Sequence, residues 1–370
     1  MHVAVLGAGY AGVALARKLE DRLPDAELTV VDERDTHLVQ HLVHRAVRYP
    51  GVADELTVPF DELFDRATHR QARVTDLDPD AGRATLSDGH LEFDVGAVAL
   101  GAETNFYDIP GVEANSTPLK RLDHAERIRE QFLDVCTDDG RAVVAGAGLS
   151  GVQAAGELAA LADERDSDAT VTLLEREPTV APSFPDRFRR AVREELDDTG
   201  VDVRTGRTVT GVADDAVALG RGDRVAFDQL VWTGGITGGE PLAERPVVRE
   251  TLRLGDSTFA VGDAARVVDE DGEAVPASAQ TAVREADVAA TNIERLVAHR
   301  RDGDGFEPRL ARYGYTSLGW LVSVGDGAVA QVGPTVLRGE AAKTAKTTVA
   351  AGYLGSLGAV DRAMAYVQDH

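Results

Sequence analysis

Apolar positions along the chain repeat one pattern of strand, helix and strand twice. The first copy begins with an unbroken apolar strand at 2–7, continues with an amphipathic helix at 11–23 and ends with a strand at 27–32. A second copy of the same three elements occupies 141–175. Because unbroken apolar strands are typical of the middle of a parallel sheet, the repeat predicts an α/β fold built on two such units.

The rest of the pattern is less regular and contains shorter elements. It predicts, in chain order, β-rich segments at 201–204, 207–212, 215–219 and 223–227, strands at 227–235 and 257–265, a long helix from about 276 to 299, a hairpin region at 313–331 and one or two weakly amphipathic helices. At 370 residues the chain is long enough for two or three domains.

Each copy carries the pattern Gly-x-Gly-x-x-Gly at its first strand-to-helix turn. The glycines are Gly7, Gly9 and Gly12 in the first copy and Gly146, Gly148 and Gly151 in the second. The first glycine permits the tight turn, the second leaves backbone amides open to a phosphate, and the third lets helix and strand pack closely. The helix N-terminus adds N–H groups and a partial positive charge. The pattern therefore predicts two sites for a dinucleotide pyrophosphate.

An acidic residue ends the second strand of each copy, at Asp32 and Glu175. A carboxylate at this place accepts hydrogen bonds from a ribose diol and repels a 2′-phosphate. The second site is therefore predicted to prefer NADH to NADPH, although Arg176, directly after Glu175, favours the opposite choice. Two such units could serve two nicotinamide dinucleotides, or one flavin dinucleotide and one nicotinamide.

Segments far from the first loop distinguish these alternatives through a family resemblance. The stretches VALGAETNFYDIPG (98–111) and TFAVGDAARVVDEDGEAVPASAQTAVREADVAATN (258–292) resemble the flavin-closing segments of flavoproteins with two dinucleotide-binding domains. More narrowly, the chain resembles type II NADH dehydrogenases, the single-subunit NADH:quinone oxidoreductases, from residue 2 to about residue 335. The resemblance implies that the first loop holds FAD and that the loop at 146–151 receives NADH, whose nicotinamide stacks on the flavin.

The resemblance also implies a domain organisation. It consists of two Rossmann-like dinucleotide-binding domains, one inserted in the other, and a small C-terminal α+β region. The predicted FAD-binding domain comprises 1–112 and 256–305, the NADH-binding domain 113–255, and the C-terminal hairpin and helix region 306–370.

Specific roles follow from the resemblance for residues outside the two loops. Asp263 would bond the ribityl-phosphate region of the flavin. A helix with Pro276 in its first turn would direct its N-terminus, at Ala279 and Gln280, to the flavin pyrimidine edge. Gln280 and Glu285 would also shape the approach of quinone; alternatively, both are ordinary polar residues of a helix.

The predicted site thus combines residues of both repeats with later segments. The FAD contacts are Gly7, Gly9, Gly12, Asp32, Val74, Gly101, Asp263 and Ala279, the NADH contacts are Gly146, Gly148, Gly151 and Glu175, and the catalytic candidates are Gln153, Gln280 and Glu285. Gln153 stands where the resembled enzymes often have a glutamate. Because glutamine cannot carry a proton by ionising, a carboxylate relay at this position is in doubt.

Histidine and cysteine contribute little further chemistry. His37, His41 and His44 have the spacing i, i+4, i+7 of one helical face, which is compatible with a protonatable lining near the flavin, with a metal site or with plain loop histidines. No carboxylate motif accompanies them, and we predict no metal. The single cysteine, Cys136, excludes internal disulfides and the paired-cysteine chemistry of flavin disulfide reductases, and is predicted to be a buried thiol.

The charge is strongly acidic, with a net value of −24 and a pI of about 4.7. This balance argues against a nucleic-acid partner, whose phosphates require a basic surface. Lysine occurs only at 18, 120, 343 and 346, and an acidic, lysine-poor chain favours adaptation to high salt over an ordinary acidic protein. No signal segment precedes the first strand, so a cytoplasmic protein is expected, with any membrane contact peripheral.

The segment 336–358 is the weakest match to the resembled family, whose members end in a strongly apolar anchor. It carries Lys343 and Lys346 as a local basic patch, beside a predicted apolar stripe that consists of Ala342, Ala345, Val349 and Tyr353. The segment could contact anionic lipid headgroups, but its mostly alanine stripe slightly favours a helix packed on the body of the protein or at a homodimer interface.

The predicted function is hydride transfer from NADH to FAD and electron transfer from FAD to a quinone, without proton pumping. Two alternatives stay open. One is an NAD(P)H-dependent flavoprotein that reduces a soluble acceptor such as ferredoxin, and the other is a flavin-binding protein without turnover.

Overall fold

The computed structural model describes residues 1–213, 215–303 and 305–369. The chain divides into two compact units, each made of several segments of sequence. Unit 1 comprises Met1–Val39, Thr57–Glu103 and Ile236–Thr316, and unit 2 comprises Gln40–Leu56, Thr104–Gly235 and the segment from Ser317 onward.

The bounds of the elements are as follows. The helices are α1 (Tyr10–Arg22), α2 (Arg45–Arg48), α3 (Ala53–Leu56), α4 (Val112–Asn115), α5 (Leu122–Thr137), α6 (Leu149–Glu164), α7 (Asp186–Asp198), α8 (Ala279–Asp302), α9 (Glu340–Ser356) and α10 (Val360–Asp369). The strands of the first part are β1 (His2–Leu6), β2 (Glu27–Asp32), β3 (Thr36–Leu38), β4 (Thr57–Pro59), β5 (Thr68–Gln71), β6 (Val74–Asp78), β7 (Arg83–Leu86), β8 (Gly89–Glu92), β9 (Val95–Val98), β10 (Glu103–Thr104), β11 (Thr117–Pro118), β12 (Arg141–Ala145) and β13 (Thr170–Leu174). Those that follow are β14 (Asp202–Arg204), β15 (Val209–Ala213), β16 (Ala216–Leu219), β17 (Arg224–Ala226), β18 (Gln229–Trp232), β19 (Ile236–Thr237), β20 (Val247–Val248), β21 (Thr258–Ala260), β22 (Arg266–Val267), β23 (Trp320–Val324), β24 (Gly327–Val332) and β25 (Thr335–Arg338).

The centre of unit 1 is a five-stranded parallel sheet with the strand order β21-β9-β1-β2-β5. Its middle strand, β1, is flanked by β2 and β9, and the side chains from Val3 to Leu6 are fully buried. Helices α1 and α8 pack against each other in the same unit. A strand enclosed in this way must be apolar at every position, which explains the unbroken apolar run of the sequence.

The centre of unit 2 has the same construction, with the order β11-β18-β12-β13-β14 and all strands parallel. Its middle strand β12 lies between β13 and β18, as β1 lies between β2 and β9. Two antiparallel sheets, β15-β16-β17 and β23-β24-β25, belong to this unit as well. The predicted α/β class with a doubled parallel unit is confirmed.

Helix α8 begins three residues later than the sequence suggested. Ser278 is its N-cap: the Ser278 hydroxyl accepts from Thr281 N at 3.2 Å, and Ser278 N donates to the Thr281 hydroxyl at 3.1 Å. This capping box satisfies an amide of the first turn and fixes the start of the helix at Ala279. The prediction that Pro276 lies in the first helical turn was therefore wrong.

The C-terminal segment also differs from its prediction. The predicted hairpin is a three-stranded antiparallel sheet, β23-β24-β25, and two helices follow it. The predicted apolar stripe of α9 holds at Ala342 and fails at Val349, which is exposed; the residues that α9 buries are Ala342, Lys346, Ala350 and Leu354. Since Lys346 is buried, the predicted basic patch with Lys343 was wrong too.

Two further observations concern the single cysteine and the lengths of the apolar helices. Cys136 is a buried free thiol, as predicted. Within the described part of the chain, none of the helices combines the length and the apolar character needed to cross a membrane.

Asn292 fixes helix α8 to two other segments of unit 1. Its side chain is fully buried, and its Nδ2 donates to Thr251 O at 3.0 Å and to Ala311 O at 3.1 Å. Its Oδ1 accepts from Ala311 N at 2.6 Å. One amide thus satisfies three backbone groups that would otherwise be buried without partners.

We expect Asn292→Ala to lower the free energy of unfolding by about 2–4 kcal/mol, because it removes three hydrogen bonds and leaves buried backbone groups unpaired. The matched control is Glu294→Ala on the same helix, whose ion pair with Arg22 is 3.8 Å long and about half exposed. The control should cost less than about 1 kcal/mol. Urea unfolding followed by circular dichroism measures both, and equal losses would contradict the assigned role of Asn292.

Candidate functional site

The first glycine loop, between β1 and α1, is closed by contacts that exclude any side chain. Gly7 has φ of +99°, and a Cβ added there would lie 2.4 Å from Ala99 O. A Cβ at Gly12 would lie 1.8 Å from Gly7 O. Both glycines are therefore required by the turn itself, as the sequence predicted.

The second loop, between β12 and α6, repeats this geometry. Gly146 has φ of +102°, and a Cβ there would lie 2.7 Å from Thr233 O. A Cβ at Gly151 would lie 1.8 Å from Gly146 O. The two strand-to-helix turns are thus built by the same close approach of backbone to backbone.

The middle glycines have a different environment. Gly9 and Gly148 are the N-caps of α1 and α6, with φ of −74° and −66°. A Cβ on either would meet no atom of the described residues within 4 Å. Packing does not require a glycine at these two positions. The absence of a side chain keeps each helix N-terminus open, and a pyrophosphate needs this access.

Asp32 closes the first loop from the end of β2. Its Oδ2 accepts from Ala8 N at 2.7 Å and its Oδ1 from Arg34 N at 3.0 Å. Burial raises the pKa of Asp32, and the amides of Arg34 and Ala8 oppose this by stabilising the carboxylate. Each oxygen accepts one backbone bond and has capacity for another, so the carboxylate fits a ribose diol.

Glu175 does the same for the second loop. Its Oε2 accepts from Ala147 N at 2.7 Å and its Oε1 from Glu177 N at 2.8 Å. In both units the acid accepts from the residue after the first loop glycine and from the residue two positions beyond itself. The predicted pairing of each glycine loop with an acid at the end of the next strand is therefore present in the structure.

The Gly262–Asp263 turn, which follows β21, is held by helix α8. Gly262 has φ of +65° and donates its N–H to Glu285 Oε2 at 2.6 Å. Burial raises the pKa of Glu285 to about 8, with a contribution from Asp263, while the Gly262 amide and Arg245 act in the opposite direction. Glu285 is thus a largely protonated carboxyl at pH 7 whose contact is with the turn that carries Asp263.

The other predicted residues of unit 1 occupy distinct places. Ala279 and Gln280 are the first two residues of α8, so they lie at its N-terminus as predicted. Gly101 follows β9 and has φ of +74°, with open space beside its Cα. Val74 is the buried first residue of β6.

Gln153 belongs to a buried polar cluster inside unit 2. Its Nε2 lies 3.3 Å from His44 Nε2, which also lies 2.8 Å from Ser323 Oγ and 3.1 Å from Lys346 Nζ. Burial, with the neighbouring Lys346 and Arg45, holds the pKa of His44 well below its usual range. The ring is therefore neutral and its Nε2 accepts hydrogen bonds, so the donor group of a glutamine suits position 153 better than a carboxylate.

Glu157, one turn further along α6, gives this cluster its negative charge. It is fully buried and pairs with Arg45 Nη1 at 2.9 Å. Burial raises the pKa of Glu157, and burial lowers the pKa of Lys346 to about 7. Glu157, Lys346 and Ser323 were not predicted as members of a site, because they come from three separate segments. The one available signal was that Glu157 follows Gln153 by four residues on a predicted helix.

The three histidines do not share a helical face, so that prediction was wrong. His37 lies in β3 of unit 1, whereas His41 and His44 lie in unit 2. His37 Nδ1 donates to Ala8 O at 3.1 Å, and burial lowers the pKa of His37 to about 4. His37 is therefore a neutral support of the first loop at pH 7, with its one ring proton on Nδ1.

Comparison with known proteins bears on the whole of this geometry. The family model described as pyridine nucleotide-disulphide oxidoreductase matches residues 1–286. The chain is 28% identical to the demethylphylloquinone reductase NdbB of Synechocystis, over 94% of this chain and 90% of that protein. It is 24% identical to the type II NADH:quinone oxidoreductase of Staphylococcus aureus, over 87% of each chain. The resemblance identified in the sequence is confirmed.

A solved structure extends the likeness to the fold. The NDH2 of Plasmodium falciparum, determined in complex with NADH, superposes with a TM-score of 0.85 at 15% identity, over 99% of this chain and 97% of that chain. The predicted fold of two dinucleotide-binding domains is confirmed.

The glycine geometry predicts unequal effects of two neighbouring substitutions. We expect Gly151→Ala to destabilise unit 2 by more than about 2 kcal/mol, because the new Cβ would be forced against the carbonyl of Gly146. Gly148→Ala should leave the free energy of unfolding within about 1 kcal/mol, since its φ is ordinary and its surroundings are open. Thermal unfolding measures both variants, and similar stabilities would contradict the assignment of separate roles to the two glycines.

Glu285 predicts a pH dependence of stability. Its folded-state pKa, about 8, lies above the ordinary value of 4.5 for a glutamate, so its contribution to stability is fully present below about pH 4.5 and is lost as the pH rises toward 8. Glu285→Gln keeps an acceptor for Gly262 N and removes the ionisation. We expect the variant to gain stability relative to the parent protein between pH 5 and pH 8, at about 1.4 kcal/mol per pKa unit of difference between the folded and unfolded states.

The measurement is the free energy of unfolding of both proteins across this pH range, with Glu294→Gln on the exposed side of α8 as the control. A constant difference between the Glu285→Gln variant and the parent protein at all pH values would contradict the raised pKa.

Proposed function

Because the chain belongs to the pyridine nucleotide-disulphide oxidoreductase family, we propose that it is an FAD-dependent NADH dehydrogenase that passes electrons from NADH to a quinone. The observation that carries the proposal is the duplicated loop, in which each open helix N-terminus is paired with a carboxylate bound to the loop. One dinucleotide site would suit a simple dehydrogenase. Two sites suit a protein that holds one dinucleotide and receives another.

Unit 1 is assigned the FAD. The predicted contacts Gly7, Gly9, Gly12 and Asp32 form its loop, and Gly101 and Asp263 follow two neighbouring strands of the same parallel sheet, β9 and β21. Because the carboxyl ends of parallel strands meet at one edge of the sheet, these residues lie on the side where ligands bind in α/β folds. Bound FAD would supply acceptance of a hydride from NADH and delivery of electrons to the acceptor.

Helix α8 would tune this site through its N-terminus. Its first-turn amides carry a partial positive charge worth about 0.3–2 kcal/mol to a nearby anion, which would favour the reduced, anionic flavin. Glu285 shapes the same region indirectly, since its carboxyl holds Gly262 and with it the backbone of Asp263. Gln280, the second residue of α8, is the candidate for contact with the quinone.

Unit 2 is assigned the NADH. Gly146, Gly148 and Gly151 would take the pyrophosphate, and Glu175 would bind the ribose diol of the adenosine half. Gln153 lies in the next turn of the same helix, where its amide donates to a neutral histidine. It would keep this buried cluster satisfied, and we assign it no proton transfer.

The acceptor is assigned as a quinone and not a disulfide, although the family name includes disulphides. Reduction of a disulfide by these flavoproteins requires a pair of redox-active cysteines, and this chain has one cysteine in its sequence, which is buried. A quinone requires no cysteine.

Contact with a membrane surface is part of the proposal, since quinones reside in lipid. The exposed apolar side chains Val349, Val360, Met364 and Val367 lie on α9 and α10, next to and partly within the segment 336–358. The buried face of α9 packs within unit 2, so the exposed apolar residues are available for contact with lipid or with a second copy of the chain. Binding to vesicles and sedimentation equilibrium distinguish these two partners.

The proposal is tested by following the colour of the purified protein. It should be yellow, lose that colour on anaerobic addition of NADH, and regain it with a soluble menaquinone analogue faster than with ferredoxin. A colourless protein, or a yellow one that NADH leaves oxidised, contradicts the proposal. Faster reoxidation by ferredoxin would favour the soluble-acceptor alternative.

Glu175→Ala sharpens this test. We expect it to raise KM for NADH about tenfold and to narrow the preference for NADH over NADPH, because it removes the acceptor of the ribose hydroxyls. Asp197→Ala is the control, since it removes an exposed acid of unit 2 whose ion pair is with Arg193 on α7. FAD content should stay unchanged in both variants, because the substitutions lie in unit 2.

A further inference from the structure

In each parallel sheet the segment that follows one neighbour of the middle strand, β9 in unit 1 and β18 in unit 2, lies against the glycine loop. The residues of this segment differ between the two units. After β9 of unit 1, Ala99 N donates to Leu6 O at 2.7 Å; after β18 of unit 2, Thr233 N donates to Ala145 O at 2.8 Å. Each of these residues faces the first glycine of its own loop. The segments Ala99–Leu100–Gly101 and Thr233–Gly234–Gly235 are therefore equivalent walls of the two predicted crevices.

The wall in unit 2 consists of two adjacent glycines between two aromatic rings. A Cβ at Gly234 would lie 2.6 Å from the indole of Trp232. A Cβ at Gly235 would lie 2.2 Å from the hydroxyl of Tyr107. The bare backbone of Gly234 and Gly235 is thus enclosed on one side by Trp232 and covered on another by Tyr107, and a side chain at either glycine would have to displace one of these rings.

Tyr107 and Trp232 are tied to this wall through Asn105. Trp232 Nε1 donates to Asn105 O at 2.8 Å, and Asn105 N donates to Gly235 O at 3.0 Å. Asn105 Oδ1 accepts from Tyr107 N at 2.7 Å, and the Tyr107 hydroxyl donates to Gly234 O at 3.2 Å. Every bond in this network ends on the glycine wall or on a residue that touches it.

The backbone at Tyr107 is held in an uncommon conformation. Tyr107 and Asp108 have φ of +55° and +52°, although neither is a glycine. Two successive residues in the left-handed region are unfavourable and persist only where the surroundings determine them, which makes such a turn a pointer to function. Tyr107 itself is 50% exposed, so burial of its own ring does not explain this conformation.

We propose that Tyr107 is a positioning residue for the nicotinamide dinucleotide: it holds Gly234 and Gly235 as a rigid, side-chain-free wall of the second crevice. This inference rests on the proposed function and assigns a specific part of it. A visiting ligand loses the least binding energy when its site is already ordered, so a braced wall favours affinity without taking part in the reaction. Unit 1 has Leu100 and Gly101 at the equivalent positions, and there a Cβ on Gly101 would meet open space.

The test compares Tyr107→Ala and Tyr107→Phe with the parent protein in the FAD-loaded state. Titration calorimetry with NAD⁺, which cannot reduce the flavin, should show a dissociation constant raised about fivefold in Tyr107→Ala, the equivalent of about one lost hydrogen bond. Tyr107→Phe, which keeps the ring, should lie between this variant and the parent. KM for NADH should rise in parallel while kcat changes less than about twofold, because uniform binding is lost.

Val332→Ala, which removes a half-exposed apolar side chain of unit 2 far from β18 in sequence, is the control and should match the parent protein. Unchanged NAD⁺ affinity in Tyr107→Phe and Tyr107→Ala, or a fall in kcat at constant KM, would overturn the inference. If Tyr107→Ala does not fold, Tyr107→Phe alone decides. If NADH reduces the flavin of the parent protein and the variants bind NAD⁺ as tightly as the parent, this inference is contradicted and the proposed function stands. If NADH does not reduce the flavin of the parent protein, the proposed function itself is contradicted.

Discussion

The contact on which both units depend is the approach of the third loop glycine to the carbonyl of the first, Gly12 to Gly7 and Gly151 to Gly146. A helix can start directly after a parallel strand and still pack on the sheet only if no Cβ lies between them. This constraint sets the direction of α1 and α6, and with it the position of their N-termini beyond the strand ends. The open middle glycine and the loop carboxylate have a function only because this contact places them.

Several carboxyl groups of the structure are buried or partly buried, and each of the following four accepts a hydrogen bond from a backbone amide or an arginine. Asp32 and Glu175 bind loop amides, Glu285 binds the Gly262 amide, and Glu157 binds Arg45. The free-energy cost of an unpaired buried charge is far larger than the stabilisation that any one of these bonds provides. The acids Asp32 and Glu175 are therefore structural parts of their loops, and a ligand would meet carboxylates that are already oriented.

How far the sequence predicts this molecule differs between its parts. The strands and helices of both repeats, and the positions of the loop glycines and acids, follow from local periodicity and spacing, since backbone geometry within about thirty residues decides them. The start of α8 was misplaced because a proline suits a first helical turn, whereas the hydrogen bonds of Ser278 with Thr281, which fix the actual start, are visible only in the structure. The buried face of α9 was misassigned because an alanine-rich helix has no strong apolar stripe, and a lysine is buried there only where other segments supply partners.

The cluster around Lys346 shows why such sites escape local patterns. A lysine on a helix of a very acidic protein is expected in water, yet Lys346 lies beside His44 and Ser323, which come from opposite ends of the chain. Its pKa falls to about 7 because burial penalises the charged amine, and the carboxylate of Glu157 compensates only in part. Because the Nε2 of a neutral His44 can accept a hydrogen bond and has no proton to give, position 153 needs a side chain that can donate without adding charge. The glutamine that looks like a lost catalytic group in the sequence is, in this surrounding, the residue that satisfies the cluster.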